Sequence, residues 1–486
     1  MRDSICFSIN GQSHEVKGDK VFMTLSDYLR YDQNMPGTKV VCAEGDCGAC
    51  TVLVGSVRDL NSGKIKYRSI NSCISFLYTL DLHSIVTIEG IEDSELHPVQ
   101  ESMRVNHGAQ CGYCTPGFVC AMAGMTDTLI REKKPLETKR SMNYLTGNLC
   151  RCTGYEPIIK ACETLDLKKI TPLYERYHDQ KMIDQYTELS KQDVRISTQT
   201  RELRLPATEE GALKIKSAEV RITSGATDLG VLVNKGKLEQ QKVACFNNVS
   251  DFYKIEKIGR EYHVGAKVTW TALEEAIEKD LPEYADMIKI FASPQIKNQG
   301  TLIGNIANAS PIADGIPYLM VNDSRLILAS KNGEREVETK NFFKGYKQLD
   351  LQSDEIIKKV ILPVPDKDVW TKLYKVSLRR DMDISAVTFA GTINVVKDKI
   401  NSVQLALGGV GPIVLRLPKT EAALIGKDFS REEFFKARDI LITEITPISD
   451  IRGSREFRLQ VAKNLLMKFH DELAKEKLSQ EVEVRL

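Results

Sequence analysis

The sequence predicts a multidomain α+β protein, and three observations carry that prediction. The chain has 486 residues, enough for roughly three domains of about 150 residues each. Eleven of its twelve cysteines precede residue 163, so the N-terminal third has a use for sulfur that the rest lacks. Short segments of strand alternation and of helical period are interleaved along the chain.

The composition is that of an ordinary globular protein and gives no sign of a charged polymer or a bilayer as partner. Hydrophobic residues make up 42% of the chain and charged residues 27%, and the net charge is +1. The N-terminus lacks the apolar core of a signal peptide, and no run of about 18 apolar residues occurs. We therefore expect a soluble, cytoplasmic protein without nucleic-acid or membrane partners. In that reducing compartment, clustered thiols point to metal binding or catalysis rather than to disulfides.

The first cysteine set has the spacing of a plant-type [2Fe–2S] loop with a distant fourth ligand. Its pattern is C-x4-C-x2-C-x22-C, formed by Cys42, Cys47, Cys50 and Cys73. Such a loop needs small residues to turn around a cluster, and Gly45, Gly48 and Ala49 supply them. Zinc or four structural thiols are the alternatives, but zinc sites usually use paired C-x2-C knuckles.

The flanking segments predict a β-grasp ferredoxin-like domain over residues 1–90. "DSICFSING" and "SHEVKG" alternate as a hairpin would around the Asn10-Gly11 turn. "TLSDYLRY" has the pattern of a short amphipathic helix, and "CTVLVG" that of a strand leaving the cysteine loop.

The second cysteine set predicts a helical domain over residues 91–165 with a second [2Fe–2S] cluster. Its members precede two predicted helix starts, at Pro116 and Pro157, and are Cys111, Cys114, Cys150 and Cys152. Helix N-termini would place partial positive charge beside an anionic cluster. By itself this pattern also fits zinc. The other four cysteines have no partners at useful spacing and are predicted to be buried structural thiols: Cys6, Cys120, Cys162 and Cys245.

Three motifs together resemble the iron–sulfur portion of the xanthine oxidase family of molybdenum hydroxylases. They are "VCAEGDCGACTV", "QCGYCTPGFV" and "GNLCRCTGYEPI", and the resemblance covers residues 1–165 almost continuously. It implies that the N-terminal cluster lies nearer a flavin and the second cluster nearer molybdenum. It also implies that Gln110 contacts a molybdopterin held by a partner chain, although its position alone fits an ordinary polar residue at a helix end.

Two later stretches, "SGATDLG" and "NQGTLIGNIANASPIAD", are rich in Gly, Ser, Thr and Asn and would let a diphosphate approach the backbone. From composition alone a flexible polar loop is the alternative, and neither a Rossmann fingerprint nor a Walker loop occurs. They resemble the same family's FAD domain, of the vanillyl-alcohol-oxidase (PCMH) type. The family's Gly-Gly-Asn is Ile303-Gly304-Asn305 here. The resemblance implies cofactor binding by Ile222, Thr223, Ser224, Gly225, Ala226, Thr227, Asp228, Leu229, Phe291, Thr301, Gly304, Asn305, Ser310 and Asp314.

The predicted organisation has five parts. Residues 1–90 form the ferredoxin-like domain, 91–165 the helical [2Fe–2S] domain, 166–200 a polar linker, 201–368 the FAD-binding domain, and 369–486 an α+β subdomain similar to the carbon monoxide dehydrogenase flavoprotein C-terminus. By resemblance, no catalytic residue is expected on this chain.

The resemblance implies an electron-transfer subunit. Xanthine or hypoxanthine would be oxidised on a large molybdenum-cofactor subunit, in an α2β2 heterotetramer. Electrons would pass through two [2Fe–2S] clusters to FAD and then to NAD⁺. The alternatives are the same relay for another N-heterocycle or an aldehyde, a free-standing NADH-oxidising carrier, and a zinc-stabilised interaction protein.

Overall fold

The computed structural model describes residues 1–61, 63–92, 94–379 and 382–483. Within them the chain forms two compact units. The first comprises residues 1–253, 269–271 and 292–304, and the second comprises residues 254–268, 272–291 and 305–486. The predicted FAD-binding domain is therefore divided between both units. Strands and helices are mixed in each, and the predicted α+β class is confirmed.

The ferredoxin-like part is built on a mixed five-stranded sheet. Its strands in spatial order are Gln12–Val16, Ile5–Ile9, His83–Val86, Thr51–Ser56 and Arg68–Asn71. The hairpin predicted at Asn10-Gly11 is present, since both residues have positive φ, as the tight turn requires. The strand predicted after the cysteine loop is Thr51–Ser56, and the short helix before the loop runs through Leu25–Asp27 and Tyr28–Asp32.

A helical part follows the sheet. Its helices are Pro98–Val105, Thr115–Glu132, Thr138–Leu145 and Glu156–Glu163. Pro116 and Pro157 each stand at the second helical position, one residue later than predicted, because Thr115 and Glu156 begin the helices. Of the cysteines predicted to be structural, Cys120, Cys162 and Cys245 are buried and Cys6 is half-buried.

The segment 166–200, predicted as a linker, carries ordered and partly buried structure. It contains the helices Leu173–Arg176 and Gln180–Leu189 and the strand Val194–Ser197. Ile183 and Tyr186 lie three residues apart on one helix face and are buried against the helical part. This amphipathic stripe is short and surrounded by charges, and so the polar composition concealed it.

The rest of the first unit holds a four-stranded sheet. Its spatial order is Arg221–Thr223, Lys242–Cys245, Glu202–Leu205 and Val194–Ser197, and the first three strands are parallel. The helices Glu209–Ile215, Thr227–Asn234 and Pro294–Lys297 accompany it. Apolar residues of this sheet, including Leu203 and Val243, share a core with the ferredoxin-like sheet.

Besides the two-stranded sheet of Phe343–Gly345 and Gln348–Leu349, the second unit contains two larger antiparallel sheets. One has the order Ile255–Ile258, Glu261–Gly265, Ile356–Pro363, Arg325–Ser330 and Gly333–Glu338, and the other Val369–Val376, Val387–Val396, Lys399–Gly408 and Leu415–Arg416. The helices are Pro282–Ile290, Ile316–Val321, Thr339–Phe342, Pro418–Leu424, Arg431–Glu444 and Arg455–Glu483. The helices Trp270–Ile277 and Leu302–Asn308 contain residues of both units. No helix in the described ranges is both long enough and apolar enough to span a bilayer.

A buried ion pair ties the N-terminus to the ferredoxin-like part. The Arg2 guanidinium donates to both Asp81 carboxylate oxygens, at 2.9 and 2.6 Å, and the two side chains are 7% and 0% exposed. The Cys6 N–H and the Asn248 amide donate to the same carboxylate, at 2.9 and 3.0 Å. Asp81 is thus fully hydrogen-bonded, as a buried carboxylate must be.

Replacing Asp81 with alanine should destabilise the first unit strongly. The change leaves the Arg2 guanidinium buried without its counter-charge, which should lower the free energy of unfolding by about 3–5 kcal/mol. Urea denaturation followed by circular dichroism measures this. The control is Asp3→Asn, which removes an exposed pair with Lys17 and should leave the transition where it is. Equal stability of both variants would contradict the assignment.

Candidate functional site

The first cysteine loop is irregular and tightly turned. Between Cys42 and Cys50 the chain passes through left-handed conformations at Ala43, Gly45 and Gly48, with φ of 54°, 75° and 67°. Cys73 lies in the turn Ser72–Ile74, beside the first residue of the strand Thr51–Ser56 that follows the loop. These left-handed turns curve the loop around its own sulfurs, which glycine permits without strain.

The four thiols of this set form one chain of contacts. Cys42 interacts with Cys47 and Cys73, and Cys73 interacts with Cys50. Hydrogen bonds from the neighbouring thiols lower the pKa of Cys42 and of Cys50. The same bonds raise the pKa of Cys47 and of Cys73, which act as donors. The four sulfurs are thus linked pair by pair, and four cysteine sulfurs are the donor set that a [2Fe–2S] cluster uses.

Backbone N–H groups also point at these sulfurs. The Glu44 N–H lies 3.4 Å from Cys42 Sγ, and the N–H groups of Cys47 and Ala49 contact the sulfurs of Cys42 and Cys47. Such donors stabilise thiolate over thiol, because they favour the charged form. The loop therefore fits an anionic, sulfur-ligated group.

The second set joins two helix starts. Cys114 is the residue before the helix Thr115–Glu132, and Cys150 and Cys152 precede the helix Glu156–Glu163. Its thiols meet in crossed pairs, Cys111 with Cys152 and Cys114 with Cys150. Burial raises the pKa of Cys114 to about 12, whereas Cys111 and Cys152 are exposed.

No group of three or more His, Cys, Asp or Glu side chains that could hold a metal ion is found among the described residues. Gln110, predicted to contact a molybdopterin, is exposed beside Cys111. Tyr113 and Leu149, which lie near the same cysteines in sequence, are exposed apolar residues at 47% and 39%. In the second set Cys111 and Cys152 are thus exposed and Cys114 and Cys150 half-buried, whereas Cys50 and Cys73 of the first set are buried.

Within the first unit the two predicted flavin stretches meet. The Thr301 hydroxyl donates to the Ser224 hydroxyl at 3.1 Å. A side chain at Gly225 would collide with the Gln299 carbonyl oxygen and lie 2.8 Å from Gly300 Cα. Backbones more than 70 residues apart thus approach as closely as glycine allows.

Two short helices begin in these stretches. The helix Thr227–Asn234 follows Ala226, whose φ is 60°, and no side chain caps it. The helix Leu302–Asn308 directly follows Thr301, whose hydroxyl accepts the Gly304 N–H at 3.0 Å. Exposed N–H groups at a helix start suit a phosphate. Of the other predicted residues here, Ile222, Asp228 and Leu229 are not buried, whereas Thr223 is.

Ile303 stands where the family has a glycine, and the backbone accommodates it. It lies inside the helix Leu302–Asn308, is 6% exposed and does not have a positive φ. Gly304 is the position under steric constraint, because a Cβ there would lie 2.7 Å from the Thr301 hydroxyl oxygen.

The predicted residues of the second unit are held differently. Both Asp314 carboxylate oxygens are engaged, one by Lys375 Nζ at 2.8 Å and one by the Ser385 hydroxyl at 2.6 Å. Asn305 Oδ1 is buried with no hydrogen-bond partner among the described residues, so a cofactor N–H or O–H would satisfy it. Phe291 ends the helix Pro282–Ile290, and the Ser310 hydroxyl accepts the Ile312 N–H at 3.4 Å.

The sequence prediction missed two residues that support these groups. Lys375 neutralises Asp314 with its ammonium almost fully buried, and it lies on the strand face that carries buried Thr371. Asn234 donates from its amide to the carbonyl oxygens of Cys73 and Ala43, each at 2.8 Å. A lysine on the core-facing side of a strand indicates a buried counter-charge and could have been recognised from the sequence. Asn234 gave no such indication beyond its place at a helix end.

Four family models match the chain. They are a 2Fe-2S iron-sulfur cluster binding domain at residues 7–77, a [2Fe-2S] binding domain at 87–163, the FAD binding domain in molybdopterin dehydrogenase at 199–365, and the CO dehydrogenase flavoprotein C-terminal domain at 372–473.

Similar proteins agree with these matches. Xanthine dehydrogenase 1 of Arabidopsis thaliana is 28% identical over an alignment of 537 residues, which covers 95% of this chain and 39% of that protein. Xanthine dehydrogenase/oxidase of Gallus gallus is 27% identical over 96% of this chain and 40% of its own length. The chain thus spans about two fifths of the length of these relatives.

Solved structures share the fold. Carbon monoxide dehydrogenase from Hydrogenophaga pseudoflava superposes with a TM-score of 0.53 at 22% identity, covering 56% of this chain and 96% of that one. Quinoline 2-oxidoreductase from Pseudomonas putida 86 gives 0.53 at 23% identity, covering 58% and 99%. Both solved structures thus show the fold of a large part of this chain. By its family matches the chain contains two 2Fe-2S domains and an FAD-binding domain.

Replacing Gly225 with alanine should expel FAD. The new methyl group would collide with the Gln299 carbonyl and separate the two stretches, weakening FAD binding at least about tenfold, or about 1.4 kcal/mol. Flavin absorbance per chain after gel filtration measures this. The control is Gly345→Ala, whose methyl group would meet only the flexible Gln348 amide, at 3.1 Å. A wild-type flavin ratio in Gly225→Ala would remove these stretches from the cofactor site.

Proposed function

We propose that this chain is the iron–sulfur and FAD electron-transfer subunit of a xanthine dehydrogenase. A large molybdenum-cofactor subunit would oxidise xanthine or hypoxanthine, and this chain would pass the electrons to NAD⁺. When bound, the clusters would supply single-electron transfer and FAD would supply exchange between single electrons and hydride. One observation carries the proposal. Within the first unit, the second cysteine set contacts the first set, and the first set contacts one of the two flavin stretches.

The two cysteine sets are joined by the main chain. The N–H of Leu149, the residue before Cys150, donates to the Cys47 carbonyl oxygen at 2.9 Å. Cys42, Cys47, Cys50 and Cys73 would hold one cluster, and Cys111, Cys114, Cys150 and Cys152 the other. One main-chain hydrogen bond thus connects Cys47, a ligand of the first proposed cluster, to Leu149, the neighbour of a ligand of the second.

The first set is also joined to the flavin stretch. Asn234 ends the helix that begins at Thr227, and its amide donates to Cys73 and Ala43 carbonyl oxygens. Gly230 of the same helix packs on the turn that carries Cys73, because a Cβ there would collide with the Ile74 backbone. One short helix thus has a proposed flavin contact at one end and the first cysteine loop at the other.

The exposed second set supports a partner on that face. Gln110, Cys111 and Cys152 are open to solvent, and exposed Tyr113 and Leu149 adjoin the same cysteines in sequence. We assign this surface to the molybdenum subunit, in an α2β2 assembly. All twelve cysteines are free thiols, which suits a reducing cytoplasm.

Replacing one ligand from each set should remove the clusters separately. Cys50→Ser and Cys114→Ser should each lose about half of the bound iron, because each proposed cluster holds two iron atoms on four cysteines. Iron and inorganic sulfide assays on anaerobically purified protein measure this, with Cys6→Ser as the control outside both sets. Undiminished iron in either ligand variant would refute that set.

The function itself is tested by the visible spectrum of the anaerobically purified chain before and after NADH is added. We expect overlapping flavin and iron–sulfur bands that bleach. A coloured protein that NADH does not bleach would refute the nicotinamide acceptor, and a colourless one would refute the relay. Turnover of the co-purified complex with another N-heterocycle or an aldehyde, but not xanthine, would favour the related hydroxylase instead.

A further inference from the structure

A buried carboxamide adjoins both cysteine sets without belonging to either. Gln295 lies in the helix Pro294–Lys297 and is 0% exposed. Its Nε2 donates to Asn148 Oδ1 at 2.8 Å and to the Thr51 hydroxyl at 3.2 Å. Thr51 directly follows Cys50, and Asn148 lies two residues before Cys150.

These side chains converge on the carbonyl oxygen of Gly48, the residue after Cys47. That oxygen accepts the Thr51 hydroxyl at 2.6 Å and the Asn148 amide at 2.9 Å. Asn148 and Thr51 are each 2% exposed, so water is nearly excluded from the network. Each bond therefore acts in a medium of low polarity, where its geometry is held more firmly than at a surface.

The orientation of every amide in the network is determined. The Gly48 carbonyl can only accept, so Asn148 must turn Nδ2 towards it and Oδ1 away. Asn148 Oδ1 can only accept, so Gln295 must present Nε2. A residue without an N–H donor at position 295 therefore breaks the network rather than reversing it.

Glycines allow the segments that carry Gly48, Gly117, Gly147 and Gln295 to approach one another closely. A Cβ at Gly48 would collide with the Gly147 carbonyl oxygen, and one at Gly117 would collide with the Gly48 carbonyl oxygen. A Cβ at Gly147 would collide with Gln295 Oε1 itself. The Gln295 amide is thus closely packed on the side of both cysteine sets, so the neighbouring segments cannot shift without separating when one of its hydrogen bonds is lost.

We propose that Gln295 is a positioning residue for the electron relay. Its carboxamide bonds to both Thr51, beside one ligand set, and Asn148, beside the other, and so reinforces the direct bond from Asn148 Nδ2 to the Thr51 hydroxyl at 3.3 Å. Gln295 thereby holds the separation of the two clusters at its wild-type value. This inference rests on the proposed function, because it supposes that both sets carry clusters. Gln295 contacts no cysteine sulfur, so its role is to hold their spacing and not to bind iron.

The separation of two reduced clusters can be measured directly. Each reduced [2Fe–2S] cluster is paramagnetic, and the magnetic dipolar interaction between two such centres falls with the inverse cube of their distance. Electron paramagnetic resonance of the dithionite-reduced full chain reports it as line splitting or as faster spin relaxation. A loss of general stability alone, with both clusters retained, would not change this interaction.

The decisive variants are Gln295→Glu, which keeps the shape but places an oxygen against Asn148 Oδ1, and Gln295→Met, which keeps the length without polarity. We expect wild-type iron content in both, with a shifted dipolar interaction. The matched control is Asn298→Asp, in the same segment, whose amide donates to the Ser69 carbonyl at 2.9 Å and to neither cysteine set. It should keep the wild-type interaction.

Two results would overturn the inference. With both clusters present in the Gln295 variants, an unchanged dipolar interaction refutes the positioning role and leaves the proposed function standing. A wild-type chain without iron refutes the proposed function and the inference with it. If the Gln295 variants do not accumulate, Thr51→Val decides, because it removes the hydroxyl that accepts the Gln295 and Asn148 amides at 3.2 and 3.3 Å. An unchanged interaction there overturns the inference.

Discussion

The close approach of backbones at the Gly48 carbonyl is the constraint on which the first unit depends. Three glycines, at positions 48, 117 and 147, leave no room for a Cβ where their segments touch. Helix Thr115–Glu132 starts directly after Cys114 and carries Gly117, so its distance from the first cysteine loop also sets the position of the second set. An alanine at any of these points would separate the segments and, with them, the sulfurs.

Polar groups at this junction are as constrained as the glycines. A carbonyl removed from water must find donors, and the Gly48 oxygen finds them in Thr51 and Asn148. Gln295 Nε2 donates to the remaining Asn148 oxygen, whereas Gln295 Oε1 is buried with no hydrogen-bond partner among the described residues. Packing and hydrogen bonding thus demand the same arrangement, which leaves a single low-energy position for each cysteine set.

Local patterns in the sequence predicted the features whose causes are local. Cysteine spacing, the Asn10-Gly11 turn and the helix beginning near Pro116 depend on neighbours a few residues away, and the structure contains the turn and the helix. The Gln295 network joins residues 48, 51, 148 and 295, and no periodicity carries such information. Residues 166–200 show the limit of composition, because the charged segment that we predicted as a linker also holds a short buried stripe.

The flavin stretches lie between these two cases. Their composition indicated close backbone approach, and the contact between Ser224 and Thr301 agrees with it. The sequence did not indicate which of the two positions, 303 or 304, requires glycine. The helical backbone accommodates Ile303, whereas a Cβ at Gly304 would collide with the Thr301 hydroxyl. Asp314 had no visible counter-charge in sequence, because Lys375 reaches it from a strand about 60 residues later.

The discontinuous course of the chain has a consequence for biosynthesis. Residues 254–268 and 272–291 belong to the second unit, and the chain returns to the first at residues 269–271 and, with Gln295, at residues 292–304. A ribosome that has released the cysteine-bearing domains has therefore not yet made Gln295, which closes the junction between them. Because domains fold as the chain emerges, from the N-terminus onwards, an open form with both cysteine loops accessible precedes the closed one. The order of translation thus leaves the junction between the two cysteine sets to be completed by a segment that is made after both of them.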